Sequence, residues 1–337
     1  MSGNCLIAAD LGGTKTALAL AEPGSGAILE QHVYGSRSFS GFEDVLEAFL
    51  SRSEVASYRD RIAAACFSVA GPVEDNTSTL TNLGWNVAGE ALGRRFAIPT
   101  VRIINDFAAA GQGLETLKAE DLLTLQAGQP AARGTRVIVG AGTGLGVGVL
   151  TWQEGGYVTH PSEAGHADFA PVDELQDQLL AHLRRTFGRV SFERIVSGPG
   201  LMRIFSFLQE TGAGMPSRQL LEASKTHSDI AALISEFAMA RIDPLAARAL
   251  DILVAVYGAF AGNLALAMLA HGGIYVGGGI APKIADKLKD GTFMRAFTGK
   301  GRFSELLESI PVHVILNAHV GLQGALLEAG RLVARGS

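Results

Sequence analysis

The stretch Leu6-Ile7-Ala8-Ala9-Asp10-Leu11-Gly12-Gly13-Thr14 decides how the rest of the chain is read. An apolar run reaches an acid and two glycines, and Thr16 to Leu20 resumes the apolar character. Strand, glycine turn, strand is a hairpin. About one domain length later the design recurs. Val137-Ile138-Val139 leads into Gly140-Ala141-Gly142-Thr143-Gly144, and Val147 to Leu150 follows. A third apolar run, Ile274-Tyr275-Val276, ends in Gly277-Gly278-Gly279-Ile280. The usual strand-to-helix nucleotide loops are excluded, because neither GxxxxGK(S/T) nor GxGxxG is satisfied. The doubled hairpin predicts two lobes of related topology facing a central cleft.

Around these hairpins, strand-like and helix-like segments alternate, which indicates an α/β fold. Helices are expected over Gly41 to Arg52, Ala88 to Phe96, Val172 to Phe187 and Leu322 to Val333. Strands are expected over Ile62 to Val69, Val101 to Ile104 and Val312 to Leu316. Pro244 to Ala270 reads as a helix pair or one kinked helix. The expected division is a small lobe of residues 1–110 plus about 318–337 and a large lobe of residues 111–317. The polar connector Gln126 to Gly134 is a further candidate boundary.

The 337 residues carry a formal net charge of −5, with no dense Lys/Arg cluster, so no nucleic-acid partner is expected. Cys5 and Cys66 each sit in an apolar run and read as buried thiols of a reducing compartment. They lack the spacing of a zinc site. No basic segment and apolar stretch precede Leu6, which leads to the expectation of a cytoplasmic protein. The sequon at Asn76 is then fortuitous. Ile252 to Met268 has the length of a short membrane span, yet Asn263, Gly258 and Gly262 favour a buried core helix, so no membrane partner is expected.

The chemistry resides in a few polar segments. Glycines let backbone N–H groups approach phosphate oxygens, and Thr14 and Thr143 add hydroxyls. Asp10 would repel a bare phosphate, but it suits a hydrated Mg²⁺ that bridges phosphates. Three such clusters together point to nucleotide binding. Val101-Arg102-Ile103-Ile104 ends in Asn105-Asp106. Asp106 could take the proton of an attacking hydroxyl, with Asn105 on a sugar hydroxyl, or Asp106 could simply cap the next helix. Glu163 and His166, three residues apart, suit vicinal hydroxyls, or belong to a plain solvated loop, or form a metal pair, for which further ligands at close spacing are missing. Glu193 is either another hydroxyl acceptor or a helix-start carboxylate. Gly71, in Ala70-Gly71-Pro72, and Asn82 could line a sugar or form plain turns.

The order of these motifs resembles the bacterial glucokinase family, with its actin-like, ribonuclease-H-like ATPase fold. The segments carrying the resemblance are Asp10 to Thr14, Ile103 to Phe107, Gly140 to Gly146, Glu163 to His166, Glu193-Arg194 with Ser197 to Gly200, and Gly277 to Ile280. The resemblance implies that Asp106 is the general base for the 6-hydroxyl of glucose. It implies that Asn105, Glu163, His166 and Glu193 are sugar ligands. It also implies that Ala9, Asp10, Leu11, Gly12, Gly13 and Thr14 form one phosphate loop, and Gly142, Thr143 and Gly144 the second. Gly277, Gly278 and Gly279 would meet adenosine. ATP as co-substrate, Mg²⁺ and a homodimer follow from the same resemblance. Lys15 departs from it, since these glucokinases more often have Asn there. Gly-Gly-Thr-Lys is familiar from the related ROK group, whose cysteine-rich zinc motif is missing after His166.

Two alternatives stay open on the sequence. One is a kinase for fructose, mannose or an amino sugar. The other is a sugar sensor without catalysis, which would normally carry a helix-turn-helix, and the first phosphate loop begins too early to leave room for one upstream.

Overall fold

The computed structural model describes residues 4–24 and 26–335. The chain divides into two compact units, Met1–Lys118 with Tyr157–Pro161 and Asn317–Ser337, and Ala119–Gly156 with Ser162–Leu316.

The first unit contains β1 (Cys5–Leu11), β2 (Lys15–Ala21), β3 (Ile28–Gly35), β4 (Ile62–Val69), the short pair β5 (Thr77–Leu80) and β6 (Trp85–Ala88), and β7 (Thr100–Asn105). Its main sheet has the order β3-β2-β1-β4-β7. β1 runs antiparallel to β2 and parallel to β4, and β4 runs parallel to β7. The six-stranded sheet is built from β8 (Leu122–Gln126), β9 (Arg136–Ala141), β10 (Leu145–Gln153), β11 (Gly156–Ser162), β12 (Gly273–Gly277) and β13 (Val312–Ile315), all in the second unit except Tyr157–Pro161 of β11. Its order is β11-β10-β9-β12-β13-β8. β9 runs antiparallel to β10 and parallel to β12, and β12 runs parallel to β13. Over four strands, β2-β1-β4-β7 and β10-β9-β12-β13, the sequence of antiparallel and parallel neighbours is therefore the same, and the second sheet adds an antiparallel β8. The doubled hairpin seen in the sequence is the first step of a doubled sheet.

Residues buried on both faces explain why β1, β4, β9 and β12 read as unbroken apolar runs. In the first unit the helices Phe42–Leu50 and Gly89–Phe96 supply Phe42, Leu46, Phe49, Leu92 and Phe96 to the cluster on one face. The opposite face is covered by Val320–Arg335, which contributes Leu322, Ala325, Leu326 and Ala329. This last helix lies close against Asp106–Gly113. A Cβ at Gly113 would stand 2.1 Å from the Val320 carbonyl oxygen, and one at Gly324 would stand 1.8 Å from that of Ala109. Only glycine permits that approach.

The segment Pro244–Met268 is one continuous helix, not a pair. Asp243 caps it by accepting from the Ala246 amide at 2.7 Å, and Pro244 occupies its first turn. Gly258 and Gly262, which could have broken it, instead admit the backbone of the helix Thr292–Thr298. Cβ atoms there would meet the carbonyl oxygens of Phe293 at 2.1 Å and Phe297 at 2.4 Å. Among the described residues this is the one helix long and apolar enough to span a bilayer, and 78% of its most apolar window is buried. The connector Gln126–Gly134 lies inside the second unit and is no boundary. The Gln126 side-chain amide donates to the carbonyls of Leu307 and Ile310, which fixes it there.

Asn76 also has a structural account. Its side chain donates to the Val101 carbonyl at 2.9 Å and accepts from the Ile103 amide at 2.7 Å, completing the edge of β7. Cys5 and Cys66 form no disulfide, and both are buried in the sheet.

Candidate active site

In the first unit, β1 ends at Leu11, one residue after Asp10, and the chain turns through Gly12, Gly13 and Thr14. The Gly12 amide donates to the Lys15 carbonyl at 3.0 Å and closes the turn. Ser36 braces it from β3's end. Its hydroxyl donates to the Gly12 carbonyl at 2.7 Å, and its amide donates to the Thr14 carbonyl at 3.0 Å. Ala9 and Leu11 are fully buried strand residues, so what the turn presents outward is backbone, Thr14 and Lys15.

Asp10 and Ser68 are register partners across the parallel β1–β4 pair. The Ser68 hydroxyl donates to Asp10 Oδ1 at 3.0 Å. Burial pushes the Asp10 carboxyl above the ordinary carboxylate range, while the Ser68 hydrogen bond and the charge of His319 pull it partly back. Gly321 leaves room beside it, since a Cβ there would stand 3.4 Å from Oδ2. The pattern alone does not reveal Ser68, although it is the one polar side chain within β4.

β7 ends at Asn105, and the helix Asp106–Gly113 begins at once. The cap is Asn105. Its Oδ1 accepts from the amides of Phe107 at 2.9 Å and Ala108 at 3.2 Å, and its Nδ2 donates to the Gly71 carbonyl at 3.0 Å. Both lone pairs of the side-chain oxygen are thus engaged, which leaves Asn105 one N–H to donate. Asp106 takes the first helical position, half-buried, with Oδ1 2.9 Å from the Phe107 amide. Capping is performed by its neighbour, so the helix-cap explanation for Asp106 loses most of its force. Gly71 is joined to Asn105 by this bond. Asn82 is exposed and lies instead toward Gly13, its Cβ 3.9 Å from where a Gly13 Cβ would stand.

In the second unit, Glu163, His166 and Glu193 converge. His166 Nε2 is 3.8 Å from Glu163 Oε2, and its Nδ1 is 3.9 Å from Glu193 Oε1. Glu163 and His166 are exposed, and Glu193 is half-buried. Gly165 makes the loop possible, because a Cβ there would stand 1.9 Å from the Leu145 carbonyl oxygen. Arg189 holds the loop from outside, pairing with Asp168 at 2.6 Å and donating to the His166 carbonyl at 2.5 Å. Sequence reading misses Arg189, which lies remote in the chain. No group of three or more His, Cys, Asp or Glu among the described residues could hold a metal ion.

The second glycine turn lies beside this cluster. Glu193 Oε2 accepts from the Leu145 amide at 3.0 Å, and the Gly142 carbonyl accepts from the Gly198 amide at 2.8 Å. The third glycine cluster comes to the same place. Gly278, at φ +80°, lies so close that a Cβ would meet the Ala141 carbonyl oxygen at 2.5 Å, and the Ile280 amide donates to that oxygen at 3.1 Å. Gly142 and Gly279 have open space where a side chain would be. Thr143 is exposed.

Solved structures that share this arrangement of sheets and helices include glucokinases. A glucokinase from an Antarctic psychrotroph matches with a TM-score of 0.82 at 28% identity, over 97% of this chain and 99% of that one. A glucokinase from Balamuthia mandrillaris, solved in complex with glucose, shares the fold with a TM-score of 0.77 at 22% identity, over 97% and 93% of the two chains. The class is thereby set as a mixed α/β protein built like the sugar kinases. Sequence comparison narrows it. The family described as Glucokinase matches residues 7–331. A glucokinase of Nostoc sp. strain PCC 7120 is 43% identical over 97% of this chain and 99% of its own length. One from Synechocystis sp. strain PCC 6803 is 42% identical over 96% and 98%. The chain belongs to the glucokinase family.

Proposed function

We infer that the protein is an ATP-dependent hexose kinase that moves the γ-phosphoryl group of ATP onto the 6-hydroxyl of glucose, giving glucose 6-phosphate and ADP. The observation that carries this reading is the family match, which extends over nearly the whole chain and joins it to curated glucokinases at 42–43% identity. The repeated strand order supports an actin-like, ribonuclease-H-like ATPase fold.

Asp106 is assigned as the general base. It is half-buried at the end of a strand, and Asn105 relieves it of capping. A carboxylate there takes the proton of the 6-hydroxyl as the new P–O bond forms. Glu163, His166 and Glu193 are assigned to the sugar hydroxyls, with Glu163 and Glu193 as acceptors. Asn105 joins them as a donor only, since its oxygen is engaged. Gly71 holds Asn105, and Asn82 is assigned to the edge of the sugar site. The turn Gly12 to Thr14 and the turn Gly142 to Gly144 receive the phosphates through backbone amides. The neighbouring Gly277 to Gly279 segment takes the nucleoside.

Asp10 fits a hydrated Mg²⁺. A hard oxygen donor suits that ion, and the burial that disfavours the bare carboxylate is offset by a divalent charge. Mg²⁺, when bound with ATP, neutralises charge on the phosphates. Asp10 holds its own orientation through Ser68, and the glycines exclude side chains from the phosphates. A cytoplasmic location and a homodimer complete the reading, the latter checked by light scattering.

Replacing Asp106 by Ala tests the central assignment. Turnover is expected to fall about 10³-fold, with glucose affinity partly kept. Wild-type turnover in that variant refutes the base assignment.

A further inference from the structure

We propose that Glu193 is the link through which the sugar site sets the nucleotide turn. This rests on reading the chain as a glucose kinase and Glu193 as a sugar-facing carboxylate, and adds a second job for the same side chain.

The two oxygens of Glu193 face different partners. Oε1 is 3.9 Å from His166 Nδ1, on the side of the Glu163–His166 loop. Oε2 accepts the Leu145 amide at 3.0 Å, at the point where the glycine turn enters β10. The contact with the turn is close. A Cβ at Gly144 would stand 2.6 Å from Oε2 and 3.4 Å from Cδ, so the carboxylate occupies the space that any side chain at position 144 would need. Glu193 is itself fixed. The Ser197 hydroxyl donates to the Glu193 carbonyl at 2.8 Å and accepts from the Gly200 amide at 3.0 Å. One residue beyond Ser197, the Gly198 amide donates to the Gly142 carbonyl at 2.8 Å. The run from Glu193 to Gly198 therefore grips the second glycine turn on both limbs, by side chain at Leu145 and by backbone at Gly142.

Such a grip has a chemical consequence. A carboxylate that takes a sugar hydroxyl on one oxygen is held in one rotamer, so the hydrogen bond from its other oxygen to the turn is strengthened. The turn amides are then held in the arrangement that receives phosphate. Sugar binding should tighten nucleotide binding and, by reciprocity, nucleotide should tighten sugar binding equally. Glu193 acts here as a positioning residue toward the nucleotide.

The test measures the dissociation constant of the non-hydrolysable analogue AMPPNP with Mg²⁺, by calorimetry, with and without saturating glucose. It is paired with the glucose KM in a coupled assay. Glu193→Ala is expected to weaken AMPPNP about 5-fold or more without glucose, since one hydrogen bond to a charged acceptor is removed, and to abolish the gain from adding glucose. Glu193→Gln keeps a carbonyl oxygen for the Leu145 amide. It is expected to restore AMPPNP affinity to within about 2-fold of wild type, while the glucose KM stays raised. Gly144→Ala, which keeps the carboxylate but displaces it with a methyl group, is expected to raise the glucose KM although position 144 is assigned to the phosphate turn. Unchanged AMPPNP affinity in Glu193→Ala, or an unchanged glucose KM in Gly144→Ala, overturns the link. Should wild-type protein turn over no glucose at all, the kinase reading falls and the link falls with it. Normal turnover with either of the first two results overturns the link alone.

Discussion

The two glycine hairpins share a backbone plan and differ in what stands one step before the turn. In the first, Asp10 is paired across the parallel strand with Ser68. In the second, the corresponding position is Gly140, paired with Gly277. The first hairpin spans four residues between the paired Leu11 and Thr16, and the second spans three between Ala141 and Leu145. One site therefore buries a carboxylate and a hydroxyl. The other buries no side chain at all, and in the room this leaves a third glycine segment comes against Ala141. Repetition of a sheet has supplied two glycine turns, and one register pair has diverged between them. Under the function proposed above, the first turn would serve a cation and the second the close approach of a nucleotide.

Replacing Asp10 by Asn attacks the chemical half of this contrast and should have the largest effect. Turnover is expected to drop about 100-fold or more through loss of the charge that faces the phosphates, read in a steady-state assay at saturating Mg²⁺. The same variant should melt at a higher temperature than wild type at neutral pH. Burial raises the Asp10 carboxyl on folding. Its contribution to stability is therefore complete below the unfolded value of about 3.9 and is lost as pH rises through the higher folded value. An Asn has no such loss. The melting difference between the two proteins should shrink as the pH is lowered into the carboxylate range, which calorimetry at several pH values would check.

The converse swap is Gly140→Asp. It places a carboxylate in the second hairpin without a serine opposite, and the expected cost is about 3 kcal/mol of stability for a buried charge lacking a partner. Chemical denaturation measures it. If the variant were as stable as wild type, the two positions would not be distinguished by their partners, and the contrast would fail. Ser68→Ala should give the smallest change. Losing one hydrogen bond of about 1 kcal/mol should raise the Asp10 carboxyl further. The acid limb of the kcat profile should therefore move to higher pH, with kcat at its plateau little altered.

Much of this contrast is legible in the amino-acid sequence itself. The hairpins, the parallel strands beside them and the helices flanking them follow from hydrophobic period and glycine placement, because both are local. The site is legible at Asp10, Asp106 and the Glu163–His166 pair, where a charged residue interrupts or ends an apolar run. What stays hidden depends on register. Asp10 meets Ser68 because two strands pair in one alignment, and 58 residues of chain separate them. Glu193 reaches Leu145 across 48 residues of chain, and Arg189 reaches His166 across 23. The long helix is buried, as Asn263, Gly258 and Gly262 suggested, but the reason for the two glycines depends on the fold. A glycine read alone looks like a weak point, whereas a neighbouring backbone converts it into a contact. Asn105 is half legible. Its place at the strand end is clear, but its capping bonds, which limit it to donating, emerge only with the fold.

The most direct test of the account is a coupled assay of the purified protein with Mg²⁺ across a panel of hexoses and phosphoryl donors. The account predicts glucose 6-phosphate formation with ATP, little activity on fructose and mannose, and loss of activity in Asp106→Ala. Phosphorylation of another hexose in preference to glucose, or of no hexose with any donor, would contradict it.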